Sequence, residues 1–314
     1  MAHGSVRVNR TKFPVRKPIL KMRFLKTSLF TFLAFALASC ASLNEPSATE
    51  ARPALWQIAD EDTTIYLFGT IHALPEGTQW RTPAIEQAIA ASSELITEIR
   101  MDDQMTAAAA FIRLGMGSGL PPVLERVPAE KREALRAAIA ASPLPAAALD
   151  RMKTWAVGVT LAQLVFQQAG LDPEHGVENV LTAAFRGKTL GALETVEQQF
   201  GFFDALPEEA QRLFLQGVLE SPEDVRREFD GMLGAWRSGD TQAIARTFND
   251  TETLSADLRE ILLTRRNANW AEWLQRRLDR PGTIMVAVGA GHLAGPESVQ
   301  TMLERRGVRV RRIQ

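Results

Sequence analysis

The chain has 314 residues, 46% of them apolar and 23% charged, with four histidines and a single cysteine. Its net charge of −1 hides an asymmetry: residues 1–39 hold eight Lys/Arg and no Asp/Glu, leaving 28 basic against 37 acidic residues beyond them, a net of −9. So acidic a remainder argues against nucleic acid, where phosphate neutralisation dominates affinity. One cysteine excludes an intramolecular disulfide, so a packed core has to carry the stability.

Arg23 and Lys26 precede an apolar run from Ser28 to Ala38, which closes on Leu37-Ala38-Ser39-Cys40. A charged segment, a short apolar segment and small residues at its end read as a signal peptide over residues 1–40, cleaved before Cys40. The run is too short to span a membrane. Its last four residues resemble a bacterial lipobox, which implies lipidation of Cys40. With Ala41 and Ser42 following, and no Asp, the sorting pattern implies an outer-membrane lipoprotein of the cell envelope facing the periplasm. Met22 is the more natural start. Residues 41–53 lack periodicity and read as a tether, and residues 54–314 as one domain.

Within that domain, Leu55–Ala59 and Thr64–Phe68 read as a strand hairpin around Asp60-Glu61-Asp62. Thr82-Pro83 supplies an N-cap and a first-turn proline for a helix carrying Ile85, Ile89 and Ala90. Glu94–Arg100 reads as the next strand, with Glu98 near its carboxyl end. Residues 104–186 are Ala-, Leu- and Gln-rich, and Pro128–Ala141 and Ala146–Ala169 are their clearest amphipathic helices. Gly187 closes the last of them. Thr189–Leu193 is a short strand ending at Glu194, and helices resume from Glu197 to Leu278. Pro281-Gly282 breaks into the apolar strand Thr283–Val288. Pro296 opens a helix that Gly307 ends, before an edge strand Val308–Val310. The pattern predicts an α/β fold: a small central sheet covered by a large, mostly helical insertion.

Two strands of that sheet end alike. Gly69-Thr70-Ile71-His72 follows Ile65–Phe68, and Gly289-Ala290-Gly291-His292 follows Ile284–Val288. Open α/β sheets build their sites at the carboxyl ends of strands, so two Gly-x-x-His turns predict one shared site. Glu98 ends the neighbouring strand, where a carboxylate orients an imidazole, partners it as a base or joins a metal's ligand set. Arg266 shares an apolar helical stripe with Leu263, Asn267, Trp270 and Leu274. An unpaired guanidinium is costly there, so Arg266 requires an anionic partner: Glu98, Glu194 or a substrate. That pairing serves structure or function, and both predict burial. Glu194 lies at another strand end, with Thr195 placed to cap the following helix.

No P-loop, dinucleotide fingerprint, zincin motif or nucleophile elbow is present. Taken in order, Leu67–His72, the strand ending at Glu98, Leu193-Glu194-Thr195 with Gln199, Arg266-Asn267 with Trp270, and Val288–Leu293 with Gly295-Pro296 resemble the TraB/PrgY/GumN family. That family belongs to the wider superfamily of Tiki metalloproteases and erythromycin esterase-like enzymes. Lys153-Thr154-Trp155 departs from the family's Lys-Pro-Trp. The resemblance implies a catalytic cluster of His72, Glu98, Arg266 and His292 with Glu194 nearby, and divalent-metal-dependent hydrolysis of peptide bonds. His72, Glu98 and His292 would then ligate Mn, Co, Fe or Zn, since two imidazoles and a carboxylate suit any of them. A metal-free mechanism with His72 as base is the esterase-like variant. Two further readings use the same cleft: a non-catalytic lipoprotein that captures a peptide or small molecule, as in mating-pheromone shutdown, and a haem- or iron-binding lipoprotein.

Overall fold

A computed structural model describes residues 51–100, 104–249 and 256–314, which lie in one unit, Thr49–Gln314. Cys40, the signal peptide and most of the tether lie outside the described residues.

Six strands form one sheet: β1 (Leu55–Ala59), β2 (Thr63–Thr70), β3 (Glu94–Thr97), β4 (Thr189–Ala192), β5 (Gly282–Gly289) and β6 (Val310–Arg312), in the order β4-β3-β5-β2-β1-β6. β4, β3, β5 and β2 run parallel, and β1 runs against both of its neighbours. β2 and β5 pair along their whole length, with Gly69 opposite Val288 and Thr70 opposite Gly289. The two Gly-x-x-His strands are therefore neighbours, and both turns leave the same end of the sheet.

The helices are α1 (Pro83–Ala91), α2 (Gln104–Gly115), α3 (Arg132–Ala141), α4 (Ala146–Leu149), α5 (Thr154–Gln168), α6 (Val177–Ala184) and α7 (Val196–Asp204). They continue with α8 (Glu208–Gly217), α9 (Pro222–Ser238), α10 (Thr241–Asn249), α11 (Ala256–Arg259), α12 (Arg265–Arg277) and α13 (Val299–Arg305). Strand alternation divides the core between the two sheet faces. Leu55, Phe68, Leu95, Met285 and Ala287 pack against α1, α6, α9 and α10. Ile65, Leu67, Ile96, Val286 and Val288 pack against Trp270 and Leu274 of α12 and Leu303 of α13. β5, covered on both faces, is apolar at nearly every position, as an interior parallel strand has to be. A separate helical core forms around Trp155, Leu161 and Leu215.

The observed elements differ from the sequence expectation at several boundaries, including a helix that starts at Arg132 rather than Pro128, and four of the differences have a visible cause. β3 stops at Thr97 rather than Arg100 because Thr97 Oγ1 donates to the Ile99 carbonyl at 2.8 Å, which draws the chain off the ladder. Ala146–Ala169 splits into α4 and α5. Fully buried Arg126 takes the Asp150 and Met152 carbonyls at 2.8 and 2.6 Å, and the Lys153 amide bonds Gly115 O. The helix expected from Pro296 starts at Val299, since Asn267 Nδ2 claims the Glu297 carbonyl at 2.7 Å. The edge strand is Val310–Arg312 rather than Val308–Val310, because the Val308 amide is spent on Leu303 O at the end of α13.

Candidate functional site

β2 and β5 deliver their turns almost in contact. A Cβ at Gly69 would lie 3.1 Å from the Ala290 Cα, so the missing side chain at Gly69 eases the close crossing of the two loops. Beyond Gly289, a 3₁₀ turn over Ala290–Leu293 carries the His292 ring back under the strand ends, where it is buried. β3 adds Glu98 from the other side of β5. A Cβ at Gly289 would lie 3.2 Å from Glu98 Oε1, 3.5 Å from His72 Nε2 and 3.6 Å from His292 Cδ2. Three side chains from distant parts of the sequence thus surround one point above the Gly289 Cα.

Beneath that point lies a buried network. Glu98 Oε1 accepts the Gly289 N–H at 2.7 Å; its Oε2 accepts from Arg266 Nη2 at 2.5 Å and Gln199 Nε2 at 3.2 Å. Arg266 also forks onto Glu194, with Nε to Oε1 and Nη2 to Oε2 both at 2.9 Å, and Trp270 Nε1 donates to Glu194 Oε1 at 2.9 Å. Arg266, for which the sequence left Glu98, Glu194 or a substrate open as the anionic partner, pairs with both carboxylates, at 7% exposure or less for all three side chains. Its guanidinium lies 4.7 Å over the Trp270 ring, and Nη1 bonds the Leu262 carbonyl at 3.1 Å. That carbonyl sits in a π turn, Glu260–Thr264, just before α12; such turns recur beside functional sites.

The partners assign the imidazole tautomer. His292 Nδ1 lies 2.6 Å from Asn267 Oδ1, whose amide nitrogen is committed to the Glu297 carbonyl. Nδ1 of His292 therefore donates, leaving Nε2 as an acceptor 3.2 Å from Arg266 Nη1 and 3.7 Å from Glu98 Oε1. Burial pushes the His292 pKa down to about 3, keeping the ring neutral. Burial alone would raise the Glu98 carboxyl, but His292 when protonated, Arg266, His72 and the Gly289 N–H together hold it down to about 2. Since His292 is neutral, the cations beside Glu98 are Arg266 and, below its own raised pKa, His72. Burial raises the Glu194 carboxyl against the opposing pull of Arg266.

His72 differs from these. Its ring is 69% exposed and lies 2.6 Å, through Nδ1, from Glu178 Oε1. The Glu178 charge raises the His72 pKa to about 9, although solvent screens part of that pull. A cleft of about 590 Å³ opens here, with His72, Glu98, Glu178 and Gln199 in its wall. Arg266, His292 and Glu194 lie buried behind them.

The structure thus gathers His72, Glu98, Arg266, His292 and Glu194 into one constellation. Sequence reasoning missed Glu178, two residues into α6. The one available signal was Gly176 before that helix, which marks a close approach without naming the group approached.

The donor types fit a divalent ion: two imidazoles each turn Nδ1 to an oxygen and leave Nε2 for the site, beside one carboxylate. Donors sharing an ion at about 2.0–2.2 Å each lie roughly 3–3.5 Å apart, and His292 Nε2 to Glu98 Oε1 is 3.7 Å. Among the described residues no group of three or more His, Cys, Asp or Glu side chains, these three included, is already arranged to hold a metal ion.

The family model of TraB/PrgY/gumN proteins matches residues 54–312. An uncharacterised protein of Treponema pallidum (strain Nichols) is 24% identical over 292 residues, 86% of this chain and 87% of that protein. The uncharacterised protein YbaP of Escherichia coli (strain K12) is 30% identical over 151 residues, which cover 48% of this chain and 55% of YbaP. YbaP of Shigella flexneri matches to the same extent. No solved structure matches the chain. The family match takes in every strand of the sheet and both Gly-x-x-His turns, and the chain belongs to the TraB/PrgY/gumN family.

Proposed function

We propose that this protein is a divalent-metal-dependent hydrolase of the peptidase type, anchored to the outer membrane through lipid on Cys40 and facing the periplasm. The observation that carries the reading is the convergence of His72, Glu98 and His292 on one point above Gly289. Those three residues would hold the ion. Mn, Co, Fe or Zn would there lower the pKa of a water and polarise a scissile carbonyl.

The chain's own residues do the rest. The Gly289 N–H and Arg266 keep Glu98 anionic, and Asn267 keeps the lone pair of His292 on Nε2. Arg266 places a fixed positive charge under the site floor, where oxyanion charge would develop. Its bonds to Glu98 and Glu194 hold it there without further reorganisation. A cleft of about 590 Å³ takes a few residues of peptide or a small molecule.

A second reading is favoured by one observation: Arg266 already hydrogen-bonds both Glu98 and His292. In that metal-free mechanism His72, exposed in the cleft, serves as general base in its neutral form, so the rate should rise as pH approaches about 9.

Both readings are separable by one screen. Chelator-stripped protein, reloaded in parallel with Mn²⁺, Co²⁺, Fe²⁺ or Zn²⁺, is incubated with a mixed peptide library and the products are read by mass spectrometry. Cleavage restored by one ion and abolished in Glu98→Gln supports the metallohydrolase. Cleavage indifferent to chelator supports the metal-free mechanism, and no cleavage under any condition removes the hydrolase.

A further inference from the structure

His72 sits past the end of β2 with an exposed ring, so something other than burial has to aim it. α6 does so from across the chain. The Val177 amide donates to the Ile71 carbonyl at 3.0 Å, and a Cβ at Gly176 would run into the His72 carbonyl. The start of α6 therefore lies flush against the Ile71-His72 turn, and the next residue is Glu178.

Glu178 Oε1 lies 2.6 Å from His72 Nδ1 and also accepts the Thr70 hydroxyl. Thr70 and His72 lie two residues apart in the first Gly-x-x-His turn, so one oxygen ties down both ends of that segment. A carboxylate in the first turn of a helix commonly caps its own backbone. Glu178 does not: Oε2 is buried with no hydrogen-bond partner, and Oε1 is taken by Thr70 and His72. Among the described residues, the His72 ring has no other hydrogen bond.

We infer that Glu178 is the positioning residue of His72, fixing a proton on Nδ1 and aiming Nε2, bare once the ring is neutral, toward the point above Gly289. His72 then has the same arrangement as His292, whose Nδ1 is held by Asn267. An acceptor behind a ligating imidazole sets its tautomer and strengthens it as a ligand. The consequence for ion binding rests on the metallohydrolase reading; the orientation of the ring does not.

The test is nitrogen-15 NMR of histidine-labelled protein, at a pH above the His72 pKa, for wild type, Glu178→Ala and Glu178→Gln, with circular dichroism as the folding control. Wild-type His72 is expected as a single Nδ1–H tautomer with a strongly downfield ring proton. In Glu178→Ala the two tautomers should mix, and in Glu178→Gln the proton should move upfield, because an amide oxygen carries no charge. Mn²⁺ affinity of the same proteins, measured by chelator competition, should fall about 10- to 100-fold in Glu178→Ala. A folded Glu178→Ala protein with an unchanged tautomer and proton shift overturns the inference. If that variant does not fold, an unchanged proton shift in Glu178→Gln overturns it instead. Wild-type protein that binds no Mn²⁺ counts against the Mn²⁺-loaded form of the metal reading, while the tautomer arm still decides the role of Glu178.

Discussion

At the scale of single residues, Arg266 and His72 should respond oppositely to removal. Arg266 is the sole cation hydrogen-bonded to two carboxylates that are as deeply buried as itself. Arg266→Ala leaves both uncompensated, and breaking a buried ion pair costs about 3–5 kcal/mol. His72→Ala removes an exposed ring whose ion pair with Glu178 is partly screened by solvent, so it should cost clearly less than Arg266→Ala. Urea unfolding of the two variants checks the contrast, and equal losses would mean that the network under Gly289 is not a unit. The pH response of ion-free protein follows from the same groups. His292 binds its proton below its ordinary 6.5, at about 3, so the folded state loses ground to the unfolded state as pH falls through that window. His72 is raised to about 9, so its contribution is full below 6.5 and is lost as pH climbs to 9. Melting temperature is expected to peak near neutrality, and His72→Ala should flatten the alkaline limb while leaving the acid limb intact. Legibility at this scale was uneven. Arg266 announced its need for an anion by lying on an apolar stripe. Glu178 gave no such signal, because its partner is reached only through the docking of α6.

Elements fix how precisely those residues meet. Gly176 is where α6 touches the His72 turn, and its backbone has an ordinary negative φ. Ala at this position would be strained by contact rather than by conformation. Gly176→Ala should therefore lower stability by about 1–3 kcal/mol, the usual cost of overpacking, and loosen the His72–Glu178 pair, visible as loss of the downfield His72 ring proton. A variant with wild-type stability and an intact ring proton would show that this contact is not needed. β2 and β5 were readable in sequence because continuous apolar runs bounded by Gly leave few alternatives. Thr195 likewise caps the start of α7 as expected, and the cap is completed as a capping box by Gln198. The overrun of β3, the split of Ala146–Ala169 and the late start of α13 share one cause. In each, a side chain captures a carbonyl: Thr97 takes Ile99, Arg126 takes Asp150 and Met152, and Asn267 takes Glu297. Periodicity carries no trace of such side-chain bonds.

For the whole molecule, topology explains why motifs 220 residues apart in sequence form one site. β5 lies between β2 and β3, so the C-terminal Gly-x-x-His turn arrives between the first His and Glu98. Residues 71–281 supply the helices that cover one face of this sheet, together with β3, β4 and α12. The predicted small sheet with a large helical insertion is the observed architecture. Localisation is a separate proposal at this scale, since no helix among the described residues is long and apolar enough to cross a membrane. Wild-type protein should partition with the membrane fraction, and Cys40→Ala should release it or leave it unprocessed. Soluble wild-type protein, unchanged by the substitution, would rule out the lipid anchor.

The shared point above Gly289 is tested most directly by ion binding in two variants that damage it differently. His292→Ala deletes a donor. Gly289→Ala keeps all three donors and the Gly289 N–H but puts a methyl group 3.2–3.6 Å from Glu98, His72 and His292, where the ion would sit. Calorimetric titration of folded, chelator-stripped protein with Mn²⁺ and Zn²⁺ should give one site per wild-type chain. Affinity should fall at least about 10-fold in each variant. Wild-type affinity retained in both folded variants would contradict a metal centre built by these two strand ends.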